Sequence, residues 1–342
     1  MATHHDIVSR FKSLDLTSQE LLLSQLQQEH ELQTPVLEKA KTEYAQKTPL
    51  KPCPHCGSVH VNRRGKSKKG IPMFSCKDCK KWYSLTTGTS MSHIHKKKEW
   101  IDYLKCINQG LSIRESAKQV GISIQTSFTW RHKILAALDS LEPEQLSGTV
   151  ECDELELAIN EKGARDLERE PRKRGTGFSR NDKTQAGVVQ VVTAVERKGD
   201  KMLKAVETKR LSKENIETVL NEKLADDTIF ITDKHHSYKA FGKANEAIEH
   251  KSVKSTDHIS KSDKKVHLQT VNQTHKQLRD FLNDFNGVST KYLQNYLNWY
   301  AYQGKIKQAK NVITQWVVTV FMATDALELY EQFLENVVNV RT

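Results

Sequence analysis

The sequence predicts a multi-domain α/β protein, and three observations predict it. Two Cys-x-x-Cys pairs stand 19 residues apart, at Cys53/Cys56 and Cys76/Cys79. A helix–glycine–helix pattern follows them. Beyond residue 146, apolar strands and amphipathic helices come in the order strand, strand, strand, helix, strand, helix, strand, helix, the pattern of a layered α/β domain. These features divide the chain into a helical leader (1–48), a cysteine module (49–92), a helical module (93–140), an α/β domain (146–305) and a C-terminal helix (306–342).

The 342 residues suffice for two or three domains, and 37% hydrophobic with 28% charged content is that of an ordered chain. The formal charge is +11. Residues 51–100 hold 12 Lys and Arg against Asp78 and Glu99, a balance of +10. Charge concentrated in one block implies a polyanionic partner, nucleic acid foremost. No membrane span is expected, because the most apolar stretch, Val312–Ala323, is broken by Thr314, Gln315 and Thr319. Met1 to Ser13 has no apolar export segment, which points to a cytoplasmic, nucleoid-associated protein. In that reducing compartment the six cysteines favour metal over disulfides.

In the leader, Thr17-Ser18-Gln19-Glu20 is a capping box ahead of Leu21, Leu22, Leu23 and Leu26, and Thr34-Pro35 and Thr48-Pro49 mark breaks. In the cysteine module each Cys-x-x-Cys turn points two thiolates at one centre, and two turns complete a tetrahedron for structural Zn²⁺. Val59–Val61 is expected to pair with Met73–Ser75 around a basic turn of Arg63, Arg64, Gly65 and Lys66, making a zinc ribbon. Those cations, with Phe74, Trp82 and Tyr83 near them, suit contact with DNA, although Phe74 or Trp82 is expected to fill the small core instead. His55, His60, His93 and His95 are expected on the surface, since four sulfurs close the shell.

In the helical module Trp100, Ile101, Leu104 and Ile107 recur at helical spacing, and Gly110 ends that helix. Ser112-Ile113-Arg114-Glu115 is a second capping box, Gly121 makes a turn, and Ser123 caps a third helix to about Leu138. With Ala117 small at the crossing, this is a helix-turn-helix pattern. Gln125, Thr126, Thr129, Arg131, His132 and Lys133 would lie on the helix that meets DNA.

The α/β domain opens on Thr149–Glu156, a strand bearing Glu151, Asp153, Glu154 and Glu156. Ala186–Glu196 and Met202–Thr208 continue a meander, and Ser212 caps a helix to Leu224. Thr228–Thr232 is apolar without alternation, as in a central strand covered on both faces, and Asp233 ends it. This is the element order of the ribonuclease-H-like fold, in which the first and fourth strands are neighbours. Asp153 and Asp233 would then lie side by side. Two such carboxylates repel unless a divalent cation joins them, and hard oxygen ligands suit Mg²⁺ or Mn²⁺. Taken alone, Asp233 could equally be a strand-ending residue that caps the following helix. Tyr292, Tyr296 and Tyr300 recur at helical spacing and are expected in the core.

The chain resembles the bacterial DDE-type insertion-sequence transposases of the family numbered fifteen ninety-five. The resemblance is carried over about residues 50–305 by the four cysteines, Val150-Glu151-Cys152-Asp153-Glu154, Arg172-Lys173-Arg174-Gly175 and Thr232-Asp233 with Tyr238. It continues through His267-Leu268-Gln269-Thr270-Val271-Asn272 and Phe285-Asn286-Gly287-Val288-Ser289. It implies a metal-dependent transposase that binds the ends of its element and the target as double-stranded DNA, as a homo-oligomer, cleaving and transferring strands. It implies Asp153, Asp233 and Asn272 as the catalytic metal ligands, an Asn-containing variant of a site that often has Glu third. Arg279, seven residues after Asn272 and on the same helix face, is implied as a DNA contact, with Lys276 and His267 as further phosphate contacts. The amide brings no charge, and Glu151, Glu154, Glu156 and Asp280 are the candidate acids to make up the difference. The other reading is a non-catalytic DNA-binding regulator derived from a transposase.

Overall fold

The computed structural model describes residues 52–67, 72–84, 86–164, 166–167, 187–206, 210–254, 259–261, 263–308, 312–313, 316 and 319–320. The leader, the Arg172–Gly175 segment and most of the C-terminal helix lie outside the described residues. The described residues up to Ser127, with those of 308–324, form one compact unit, and those of 128–307 form the other. No helix among the described residues is long and apolar enough to cross a membrane.

In the first unit, β1 (Val61–Lys66), β2 (Pro72–Cys76) and β3 (Trp82–Ser84) form an antiparallel sheet in the order β1-β2-β3. The basic stretch Arg63–Lys66 is strand, not the expected turn. Gly65, at φ +70°, does not reverse the chain there; the pairing shifts between Arg63 and Lys66, which is a bulge. Phe74 and Tyr83 fill the core, with ring centroids 5.4 Å apart, whereas Trp82 is 60% exposed. Beyond the ribbon come α1 (Lys97–Asn108) and α2 (Ile113–Val120). The α2 capping box is formed, and its C-cap Gly121 has φ +73°, a conformation that glycine adopts without a Cβ penalty. The next helix, α3 (Ile124–Ala136), begins where the Ser123 hydroxyl accepts the Thr126 N–H at 3.0 Å.

The second unit is built on a five-stranded sheet in the order β6-β5-β4-β7-β8. Its strands are β4 (Thr149–Ala158), β5 (Val188–Glu196), β6 (Lys201–Val206), β7 (Ile229–Asp233) and β8 (Glu249–Val253). The first three run antiparallel as a meander, and β7 and β8 continue parallel to β4. The helices are α4 (Lys213–Leu220), α5 (His236–Ala244), α6 (Gln269–Asn283) and α7 (Leu293–Lys307).

The sheet is covered on both faces. Val150 and Cys152 pack with Phe230, with Ile216 and Leu220 of α4 and with Tyr238 and Phe241 of α5. Val195, Ile231 and Val253 pack with Val266, Leu268 and Val271 at the start of α6. This double burial is why β5 and β7 are apolar without alternation. Strand β4 alternates under the same constraint: Val150 and Cys152 face α4 and α5, so Glu151 and Asp153 face α6.

Candidate active site

Residues Thr149, Val150 and Glu151 of β4 pair in parallel with Ile229, Phe230 and Ile231 of β7. Continued by two residues, that register sets Asp153 opposite Asp233. Both lie on the α6 face, Asp153 two residues beyond Glu151 and Asp233 two beyond Ile231. Burial, followed by the charges of Glu154 and Asp233, pushes the Asp153 carboxyl up to about 7. Glu154 is also raised, by burial and then by the charge of Asp233. Its carboxylate lies against the buried Tyr238, whose hydroxyl acts in the opposite sense and lowers it.

The capping role open to Asp233 falls to His235, the N-cap of α5, whose Nδ1 accepts the Ser237 N–H at 3.4 Å, while Asp233 Oδ1 accepts the His235 N–H at 2.8 Å and turns the chain ahead of the helix. A carboxylate can turn the chain with one oxygen and leave the other for a cation. Excess negative charge and oxygen donors together fit a divalent hard cation. Asn272 lies in the first turn of α6, half-buried, directly after Val271.

Glu151, expected as a candidate helper acid, is fully committed elsewhere. It is 0% exposed. Its Oε2 accepts the backbone N–H of Thr270 at 2.8 Å and of Val271 at 3.1 Å. Its Oε1 accepts from Arg197 Nε at 2.7 Å and from the Thr270 hydroxyl at 2.9 Å, and lies 3.1 Å from His267 Nδ1. His267 therefore belongs to this cluster. Glu156 accepts from Gln190 Nε2 at 3.4 Å, and Asp280 is exposed along α6 with Lys276 and Arg279. Of the acids beside Asp153, Glu154 is the one whose charge reaches Asp233.

The four ribbon cysteines converge. All their sulfurs lie within 4.8 Å of one another, with Cys53–Cys79 and Cys56–Cys76 each at 3.6 Å. The Cys79 and Asp78 N–H groups point at Cys76 Sγ at 3.5 and 3.3 Å; the Cys79 bond is the stronger cause that pulls the Cys76 thiol down to about 6, toward the thiolate a metal binds. The donor set fits tetrahedral zinc. Arg63, Arg64 and Lys66 are exposed on β1, and the Arg64 guanidinium lies 5.7 Å above the exposed Trp82 ring while its Nε donates to Ser75 Oγ at 2.9 Å.

The expected DNA-facing helix α3 needs a correction. Arg131 is 0% exposed and its guanidinium lies 5.3 Å from the Trp299 ring centroid. His132 is buried, stacked on Tyr292 at 4.2 Å, and burial pushes its pKa down to about 3. Past Ser127 this helix packs within the second unit against the aromatic stripe of α7, so Arg131 does not face DNA. Gln125 is exposed in the first turn, Thr126 is half-buried with its hydroxyl 2.8 Å from Ser123 Oγ, and Lys133 is half-buried. Arg131→Ala should therefore cost about 1–3 kcal/mol of stability through lost packing. Thermal denaturation should show it, while DNA affinity in a gel shift stays within about twofold, as for a residue with no phosphate contact.

Residues 145–304 match the family model described as the ISXO2-like transposase domain. Among solved structures, the chain is similar to the Mos1 strand transfer complex at 12% identity, over 68% of this chain and 76% of that one, with a TM-score of 0.28. It is similar to a pre-cleavage Mos1 transpososome at 13% identity, over 68% and 77%, with a TM-score of 0.26. Likenesses this slight do not bear on mechanism. No curated protein matches the chain.

Proposed function

We propose, from the transposase-domain match over residues 145–304, that the protein is a metal-dependent transposase. It binds the ends of an insertion sequence, cleaves a phosphodiester at each end by hydrolysis, and joins the freed 3′-hydroxyl oxygen to a target-DNA phosphorus by in-line displacement, the target strand's own 3′-oxygen leaving as a hydroxyl. The observation that supports the site is the parallel pairing of Thr149, Val150 and Glu151 of β4 with Ile229, Phe230 and Ile231 of β7, a register that two further residues on each strand carry to Asp153 and Asp233. Asp153, Asp233 and Asn272 would hold the Mg²⁺ or Mn²⁺ ions, which supply Lewis-acid activation and charge neutralisation to phosphoryl transfer. The raised carboxyl of Asp153 gives up its proton when a cation binds. Arg279 and Lys276, exposed on α6, supply cations for DNA phosphates. The ribbon cations Arg63, Arg64 and Lys66, with Gln125 and Thr126 at the start of α3 and Lys133 further along it, hold the ends. The ribbon takes one structural Zn²⁺.

The test incubates the purified protein with Mg²⁺ or Mn²⁺ and double-stranded DNA carrying the element's ends and a target plasmid. Strand-transfer products that vanish in Asp153→Ala and Asp233→Ala are the expected result. Binding without cleavage by the unaltered protein would establish instead the non-catalytic regulator, a reading that Asn272 in place of an acid favours.

A further inference from the structure

Helix α6 is held at both ends by the chain segment that carries Asp153. At its N-terminus the buried Glu151 carboxylate takes two successive backbone N–H groups, Thr270 and Val271, from the four that a helix start leaves unpaired. Arg197, which holds Oε1, also donates through Nη2 to the His267 carbonyl at 3.3 Å, binding the approach to the helix as well. Just past the C-terminus, Lys162 Nζ donates to the carbonyls of Phe285, Asn286 and Gly287 at 3.0, 3.3 and 2.9 Å. Positive φ at Asn286 (51°) and Gly287 (90°) turns the chain there. Asn160 and Thr290 complete the tie through two bonds of 2.8 Å. Glu151 and Lys162 thus place an anion at the positive end of the helix dipole and a cation at the negative end.

Asn272 follows immediately after the two residues whose N–H groups Glu151 holds, and Asp153 stands two residues after Glu151 on the same strand face. We propose that Glu151 is a positioning residue: by clamping the first turn of α6 to β4 it fixes the Asn272 amide against Asp153 and Asp233. The inference rests on the divalent-metal reading of that site. A neutral amide binds a cation more weakly than a carboxylate and gains more from being fixed in place, so the clamp matters more here than beside a third acid.

Mn²⁺ binding to the full-length protein, followed by the spin-resonance signal of the free ion, tests this without reference to turnover. Asp153→Asn and Asn272→Ala should each weaken binding. Glu151→Gln, which keeps the side chain's size but puts an NH₂ against the donors, should weaken it about 10- to 100-fold, as the loss of a group that orients a metal ligand does. Because Glu151 acts through Asn272, the Glu151→Gln/Asn272→Ala pair should bind no more weakly than the weaker single variant. Multiplying effects, or wild-type binding by a folded Glu151→Gln, would overturn the inference while the Asp153→Asn defect leaves the site standing. Wild-type binding by Asp153→Asn would remove the site itself and the inference with it. If Glu151→Gln does not fold, Thr270→Val removes only one donor and Thr270→Ser keeps it. Weakened Mn²⁺ binding in the first, restored in the second, is expected, and equal binding by both overturns the clamp.

Discussion

Asp153→Asn should leave a folded, DNA-binding protein whose metal-dependent strand cleavage falls by about 10³-fold or more, since a lost metal site forfeits several kcal/mol of charge stabilisation and each step of about 1.4 kcal/mol is tenfold. The same substitution should stabilise the metal-free protein. Unfolded, this carboxyl titrates near 3.8; folded, burial and the charges of Glu154 and Asp233 hold it near 7. Between those values the folded chain binds the extra proton, so stability is greatest in acid and falls as pH rises through the window. At about 1.4 kcal/mol for each pH unit between the two values, the loss by pH 8 is on the order of a few kcal/mol. Asp153→Asn removes that penalty, and Mg²⁺ offsets it in the unaltered protein. Thermal unfolding at pH 5 and pH 8, with and without Mg²⁺, reads the effect directly. If metal-free wild type and Asp153→Asn melt alike at pH 8, the carboxylates are not crowded as the fold places them. Cleavage should rise with pH through neutrality at low Mg²⁺, and the midpoint should move lower as Mg²⁺ increases, because the cation competes with the proton.

That β4 and β7 are neighbours was legible in the order of the elements, and β7 as a central strand in its apolar run without alternation, a local signal. The role of Glu151 was not legible. Strand periodicity puts Glu151 and Asp153 on one face and cannot tell a ligand from a clamp. The distinction is made by N–H groups arriving from 119 residues away. Arg131 failed for the same reason. Its place on α3 suits a DNA contact, and its burial is imposed by Trp299, which no pattern near residue 131 announces. At Arg63–Lys66 the failure was local: Gly65 serves a bulge as readily as a turn, and only pairing with β2 decides between them. The Glu154 case is mixed. Alternation puts it on the face away from Asp153, beside Tyr238, yet at the strand's end the charge of Asp233 still reaches it.

Removing the ribbon's metal should unfold residues 52–84 and leave the five-stranded sheet intact. The ribbon's buried apolar cluster consists of Val61, Phe74 and Tyr83 with the cysteines themselves. A core of that size does not offset the chain entropy of three short strands and two turns. Structural zinc supplies about 10–16 kcal/mol of apparent binding free energy in comparable small sites, which is folding free energy when the ligands are scattered in the unfolded chain. Cys76→Ser removes the thiol that two backbone N–H groups favour as thiolate, and so should cost most of that energy. Metal analysis should find one zinc per wild-type chain and none in the variant. Trypsin should then cut at Arg63, Arg64 and Lys66, while β4 to β8 stay protected. DNA binding should weaken with it, because Arg64 keeps its place above Trp82 only while β1, β2 and β3 are paired. Protease resistance of residues 52–84 in metal-free protein would show that the four thiols do not hold the module together, and the zinc assignment would fall while the catalytic site stood.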